Sequence, residues 1–444
     1  MLCKELPDNL SGMSLRPDPS PQAGALPEVS RFLRGRGFRN LWASGAVESA
    51  GDEASRTLVP IIAVSMLGAS AFDVGVINAL GLSAFLVLGV PIGVWVDRMR
   101  KRRIMIAADL CRAAVIASLP AVYLFGALTI WHLFLAVAVI SVADVFFTTA
   151  HSTFLPLIVR RNDLSEANAR LQSAQTAVTV ATPALSGALL RIAAAPLALF
   201  TASVSYTLSA VLIGRIKHVE FVPPTEGRPA PIIAAKEGIS FTVRHPILRP
   251  LFLSGMIINT AAMFGNAASA VYALTVLGIS PGVYAAVGAV SALGGLSGSV
   301  VAVPILRRFG IGRTKIVTSL AALPVISLLP LAGVLPYPPV IWVGVSGFGW
   351  ASLIVMTSIA GSGITPRVTP ARMLGSVTAS SRLFVLGIMP VASLIGGAIA
   401  AWAGVVPVLW AWAAIAAVSA LPIIFSPIRR WKNFPEELDV NMPD

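Results

Sequence analysis

Hydrophobic residues run in long blocks along this chain, broken at regular intervals by short polar or basic clusters. Blocks long enough to cross about 30 Å of hydrocarbon occupy roughly 41–67, 73–96, 104–126, 130–158, 167–192 and 196–214. After a break, six more follow at roughly 250–278, 282–306, 314–334, 339–364, 374–402 and 405–425. An isolated strand would leave backbone N–H and C=O groups unpaired in lipid, so each block is predicted to be a helix. The fold class that follows is an all-α membrane protein with twelve transmembrane helices in two six-helix bundles.

The basic residues fall on alternate sides of these spans. The loops after spans 1, 3, 7, 9 and 11 carry no Lys or Arg, which leaves Arg191 alone for that side. The positive-inside rule therefore places both termini in the cytoplasm of a cell membrane. The expected organisation is a disordered cytoplasmic tail over 1–37, a first bundle over 38–215, a linker over 216–249, a second bundle over 250–425 and a cytoplasmic tail over 426–444. The linker holds Pro223, Pro224, Pro229 and Pro231, then a stretch to Arg244 that alternates apolar and polar groups at helical spacing. That stretch is predicted to lie along the membrane surface. The basic loop after span 2 has a counterpart after span 8 in Arg307, Arg308, Arg313 and Lys315, as two parallel halves require.

Composition agrees with lipid as the solvent. Of the 444 residues 12% are charged and 56% hydrophobic, whereas a soluble domain would be about one-quarter charged. The formal net charge of +13 would point to nucleic acid if it formed a patch. Here it is spread over the loops, and no nucleic-acid partner is expected. Cys3 and Cys111 sit far apart in sequence and support neither a disulfide framework nor a thiolate metal site. The first thirty residues are polar and proline-rich, unlike a signal peptide. No HExxH, GxSxG or phosphate-cradling GxxxxGK[ST] occurs, which disfavours a polytopic membrane enzyme and an ATP-driven pump. No cofactor or metal is expected.

Ionisable groups inside the spans carry the candidate chemistry, because each costs at least about 2.5–3.5 kcal/mol near the bilayer centre. Span 1 holds Glu48, Asp52, Glu53 and Arg56. Glu48, Asp52 and Arg56 follow at intervals of four and so line one stripe, with Asp52 near mid-depth. Facing a central cavity, Asp52 or Glu53 would exchange a proton as substrate leaves; the alternative is a static Asp52–Arg56 ion pair. Asp109 and Arg112 in span 3 are three residues apart, the spacing of a local salt bridge. Asp144 in span 4 has no basic residue in its own helix and would answer either Arg112 or the Arg98–Arg103 cluster. Arg382 in span 11 would pair with span 1 or meet an anionic substrate, and Asn259 in span 7 is a weaker candidate for a cavity hydrogen bond. His151, near the end of span 4, is expected as a polar interface residue.

Between spans 2 and 3 lies Gly93-Val-Trp-Val-Asp97-Arg98-Met-Arg100-Lys101-Arg102. It resembles the GxxxDRxGRR loop motif of the major facilitator superfamily, with Gly93, Asp97, Arg98, Lys101 and Arg102 on its key positions and Arg100 replacing the second glycine. A second superfamily signature, GPxxGG, is similar to Thr182-Pro183-Ala-Leu-Ser186-Gly187 in span 5. There Pro183 and Gly187 match, while Thr182 and Ser186 stand where glycines are expected. Within the superfamily the chain looks most like bacterial drug and siderophore exporters related to macrolide efflux proteins and the enterobactin exporter. That likeness runs through Asn40-Leu-Trp42, Gly51-Asp52, Ala108-Asp109 with Arg112, Leu155-Pro156 and Leu164 to Asn168. In the second half it includes Arg367 to Pro370, Gly375, Arg382, Gly387, Pro390 and Gly396-Gly397.

The resemblance implies the major facilitator fold and a secondary active exporter of amphipathic small molecules, as in multidrug or antibiotic efflux, run by proton antiport and alternating access. Siderophore or secondary-metabolite export on the same fold is the alternative. The loop motif would act as a latch, with Asp97 meeting the positive N-terminal end of span 11 while Arg98 and Arg102 hold acids or lipid headgroups. The expected partners are a small-molecule substrate, protons and membrane lipids, around a monomer.

Overall fold

The structure, a computed structural model, describes residues 35–159, 163–216, 231–370, 373–435 and 438. The start of the expected N-terminal tail, linker residues 217–230 and residues 439–444 lie outside the described residues, as do the side chains of Asp97 and Arg382. Among the described residues there is no strand. The first half comprises α1 (Arg36–Leu67), α2 (Ala71–Asp97), α3 (Lys101–Leu124), α4 (Ile130–Ile158), α5 (Leu164–Leu189), a short α6 (Ala195–Ala198) and α7 (Phe200–Gly214). Then come α8 (Pro231–Arg244) and α9 (Leu248–Val271), which ends in a π-helical turn, Tyr272–Val276. The rest is α10 (Pro281–Phe309), α11 (Ile311–Leu331), α12 (Pro339–Ser362), α13 (Ile364–Val368), α14 (Leu374–Ala403), α15 (Val405–Val418) and α16 (Leu421–Ile424).

Among the described residues, nine helical stretches are long and apolar enough to cross a membrane. The other three expected spans fall on α1, α5 and α14, which are 32, 26 and 30 residues long. Length suffices in each. α1 misses on composition because it carries Glu48, Asp52, Glu53 and Arg56, and α5 because of its Ser, Thr and Gln residues. α14 is apolar over Gly387–Ala403.

Local chemistry sets where the helices turn. α1 stops at Gly68, whose φ of 63° suits a residue without Cβ. Two residues later α2 starts on a capping box: the Ser70 hydroxyl accepts from the Asp73 N–H, and the Asp73 carboxylate accepts the Ser70 N–H at 2.8 Å. Thr129 and His132 open α4 in the same way.

Within the first half, α3 packs against α4 and α7, and α1 against α5 and α7. In the second half, α10 lies on α12, α11 on α12 and α15, and α9 on α14 and α15. Two long contacts join the halves, α2 along α14 and α5 along α10. At the end away from the termini these contacts interlock. Ala71 of α2 sits in a core otherwise built from second-half residues such as Phe264, Ile326 and Trp412. Reciprocally, Ala285 of α10 sits among Ile62, Leu119 and Leu199. A Cβ on Gly187 would lie 2.7 Å from the Gly282 carbonyl oxygen, and one on Gly397 would lie 2.7 Å from that of Ala71, so glycine lets the backbones touch.

At the end that holds the termini the cores stay separate. One gathers Phe38, Met105, Phe154 and Ile213, the other Leu248, Ile364, Ile423 and Ile428. The chain after α16 is packed here: Pro427–Arg430 form a 3-10 turn, Ile428 is fully buried, and the Gly312 N–H donates to the Trp431 carbonyl at 3.1 Å. Apolar Ile428, Trp431 and Phe434 among basic neighbours account for this docking of a segment expected as a tail. α8 rests against α14 and α9, with Thr242 buried.

Candidate functional site

Midway along the first half, α1, α3, α4 and α7 converge on one guanidinium. Arg112 is fully buried, and its Nη1 donates to Glu48 Oε1 at 2.8 Å, Asp144 Oδ1 at 2.6 Å and Asp52 Oδ1 at 3.2 Å. Its Nη2 donates to Asp109 Oδ1 at 2.5 Å. The rings of Phe147 and Tyr206 lie 4.5 Å and 4.6 Å from the guanidinium carbon, where a cation is attracted to the ring faces. The Tyr206 hydroxyl also donates to Asp52 at 2.7 Å.

Four carboxylates therefore share one guanidinium, a formal excess of three negative charges. One nitrogen, Nη1, has two N–H bonds and faces three carboxylate oxygens, and the Tyr206 hydroxyl supplies a further donor to the Asp52 oxygen, the farthest of the three. The buried Nε of Arg112 and Oδ2 of Asp109 make no hydrogen bond among the described residues. Glu48, Asp52 and Asp144 present oxygens within 4.8 Å of one another, and the cation they share is the arginine. Exposure divides the acids. The Asp52 and Asp144 side chains are 22% and 18% exposed, against 8% for Glu48 and 0% for Asp109.

The structure brings together Glu48, Asp52, Asp109, Arg112 and Asp144 from the sequence-derived set. The expected Asp109–Arg112 contact is present, and Asp144 answers Arg112. An Asp52–Arg56 pair is not formed: Asp52 turns to Arg112 and Tyr206, while Arg56 is exposed and makes no ion pair among the described residues. Helix convergence explains this, because a fixed guanidinium from α3 reaches Asp52 between two aromatic walls. Glu53 is half-buried beside the cluster. Asn259 donates to the Gly255 carbonyl of its own helix at 2.8 Å, and His151 is half-buried, with its ring stacked on Phe147 at 5.8 Å. The Arg382 side chain lies outside the described residues. Tyr206 and Phe147 were missed by sequence reasoning, since an aromatic residue in an apolar run gives no signal of its own.

A profile of the Major Facilitator Superfamily matches residues 41–387. The chain belongs to this superfamily. It is 30% identical over 213 residues to an uncharacterised MFS-type transporter, YvqJ, of Bacillus subtilis strain 168, covering 47% of this chain and 50% of that one. It is also 30% identical over 152 residues to macrolide efflux protein A of Streptococcus pyogenes, covering 34% and 37%. The matches thus span half or less of these relatives' length. Among solved structures, the nucleoside transporter NupG superposes with a TM-score of 0.69 at 13% identity, over 87% of this chain and 98% of that one, which shows the shared fold. This chain's apolar helices and its superfamily make it a multi-pass membrane protein.

The superfamily motifs have definite surroundings. Arg102 reaches the exit of α7, where its Nε donates to the Ile213 carbonyl at 3.2 Å and its Nη2 to that of Gly214. Its cation thus meets the negative end of that helix. Arg98 is exposed and Lys101 buried, and no atom lies within 4 Å of a Cβ built on Gly93. The Asp97 side chain is outside the described residues. Pro183 and Gly187 both face α10, at Gly288 and Gly282.

Proposed function

We propose that this transporter is a secondary active exporter of amphipathic small molecules, driven by proton antiport, seated in the cell membrane as a monomer with both termini in the cytoplasm. The observation that carries the reading is the excess of four carboxylates over the single Arg112 guanidinium at mid-depth in the membrane. Unbalanced charge is costly there, which marks this cluster as the coupling site. Asp52 and Asp144, the two partly exposed members, are the ones that exchange protons with their surroundings.

The longest of the three Nη1 contacts belongs to Asp52. A proton arriving on Asp52 releases that contact and lets Arg112 settle on Glu48 and Asp144, which leaves α1 held to α3 through Glu48 alone and loosens it beyond that point. Further along α1, Val64 packs on Val74 and Ala267 where the halves meet. Movement of α1 then reaches the contact that has to open during transport. The likeness to macrolide efflux protein A supports an outward direction and an amphipathic cargo. One elementary charge moving through 100 mV gains about 2.3 kcal/mol, enough with a pH gradient to sustain a useful concentration of cargo outside.

The test is efflux of a macrolide and of a fluorescent lipophilic cation from vesicles, with and without an uncoupler. Efflux is expected to stop with the uncoupler and in Asp52→Asn; efflux that persists after the gradient collapses rejects the coupling. A second reading, export of an anionic siderophore or metabolite, is favoured by one observation, the exposed Arg56 without an ion pair among the described residues. Growth on low iron, with and without the gene, separates the two.

A further inference from the structure

On the outer side of α3 and α4, away from the charged cluster, runs a cavity of about 890 Å³. Small residues open it: Ala107 and Ala108 from α3, Ala138 and Ala143 from α4. Arg100 and Arg103, both exposed, line its end near the termini, and among the described residues no acidic or hydroxyl side chain lines it. From Lys101, where α3 starts, to Cys111 the lining rises about 15 Å at 1.5 Å per residue, half of the roughly 30 Å hydrocarbon core. A groove of that depth, apolar below and doubly basic at the rim, has the dimensions of one leaflet.

We infer that this groove binds one anionic phospholipid, with an acyl chain along α3 and α4 and its phosphate held by Arg100 and Arg103. Charge complementarity selects the headgroup, since basic groups at the inner surface attract anionic lipids. The groove's floor also gives the bound lipid a structural consequence. Ala108 and Ala143, both 6% exposed, are the chain neighbours of Asp109 and Asp144. An acyl chain seated there props α3 against α4 at the level where Arg112 joins those two acids. The inference rests on the membrane-spanning fold and is independent of what is exported or which ion drives it.

The full-length protein is placed in nanodiscs with phosphatidylglycerol or phosphatidylethanolamine bearing the same diazirine acyl chain, irradiated and mapped by mass spectrometry. Adducts on residues 104–111 and 138–146 are expected to be at least about fivefold more abundant with phosphatidylglycerol, the factor that one of the two arginines supplies by itself. The excess should vanish in Arg100→Gln/Arg103→Gln, and Ala138→Phe should reduce labelling by both probes. Equal labelling of the wild-type groove by the two headgroups would show only bulk lipid and overturn the inference. So would an undiminished preference in the double variant, or undiminished labelling in Ala138→Phe. If a variant fails to remain monodisperse, the wild-type headgroup ratio decides alone.

Discussion

Tyr206 holds Asp52 by a 2.7 Å hydrogen bond while its ring covers one face of the Arg112 guanidinium. One side chain thus fixes an acid and a base together. The two roles separate by substitution. Tyr206→Phe keeps the ring and loses a hydrogen bond worth about 1 kcal/mol; Tyr206→Leu also loses a cation–π contact worth about 0.5–2 kcal/mol. Melting temperatures in detergent are expected to fall in the order wild type, Phe, Leu. A Leu variant as stable as the Phe variant would deny the ring its role.

Removing Arg112 leaves four acids without their shared cation. Breaking a buried pair from one side costs about 3–5 kcal/mol, so Arg112→Ala should melt well below wild type at neutral pH. Acidification should recover part of that loss, because protonated acids need no cation. Arg112→Lys should also lose transport, since an ammonium cannot span the positions of Nη1 and Nη2. Melting curves across pH check the first expectation and vesicle efflux the second.

Gly187→Val drives a branched side chain into the Gly282 carbonyl, only 2.7 Å from where the first carbon must go. The halves should then part at the end away from the termini. Cysteines placed near Ser280 and Ala193 are expected to react faster with a membrane-impermeant maleimide than in the unsubstituted background, and export should drop. Unchanged reactivity would mean that the α5–α10 contact does not close that face.

Arg102→Ala frees the carbonyls at the end of α7. The expected loss is about 1–2 kcal/mol, the worth of a charged hydrogen-bond donor at a helix terminus. Hydrogen exchange over residues 211–216 should quicken while the rest of α7 keeps its protection.

The periodic apolar blocks made the helices legible, and the stripe of Glu48 and Asp52 and the three-residue spacing of Asp109 and Arg112 announced the acids and their base. Their partners across helices were less legible. Spacing along one helix offered Arg56 to Asp52, but the guanidinium that Asp52 meets stands 60 residues away. Arg102 shows the same limit: its basic character was plain, yet its partners are backbone carbonyls, present at every position and so without a mark in the sequence. Asn259 looked available and is satisfied by its own helix.

The glycine contacts at Gly187 and Gly397 bear on how often the protein can cycle. Beside these bare backbones only small side chains such as Ala71 and Ala285 have to leave the opposite core at each opening, and an alanine has no rotamer to find again on closing. The helices can roll apart and return like smooth rods. Bearings of this kind keep the cost of parting the two halves low at the joint itself.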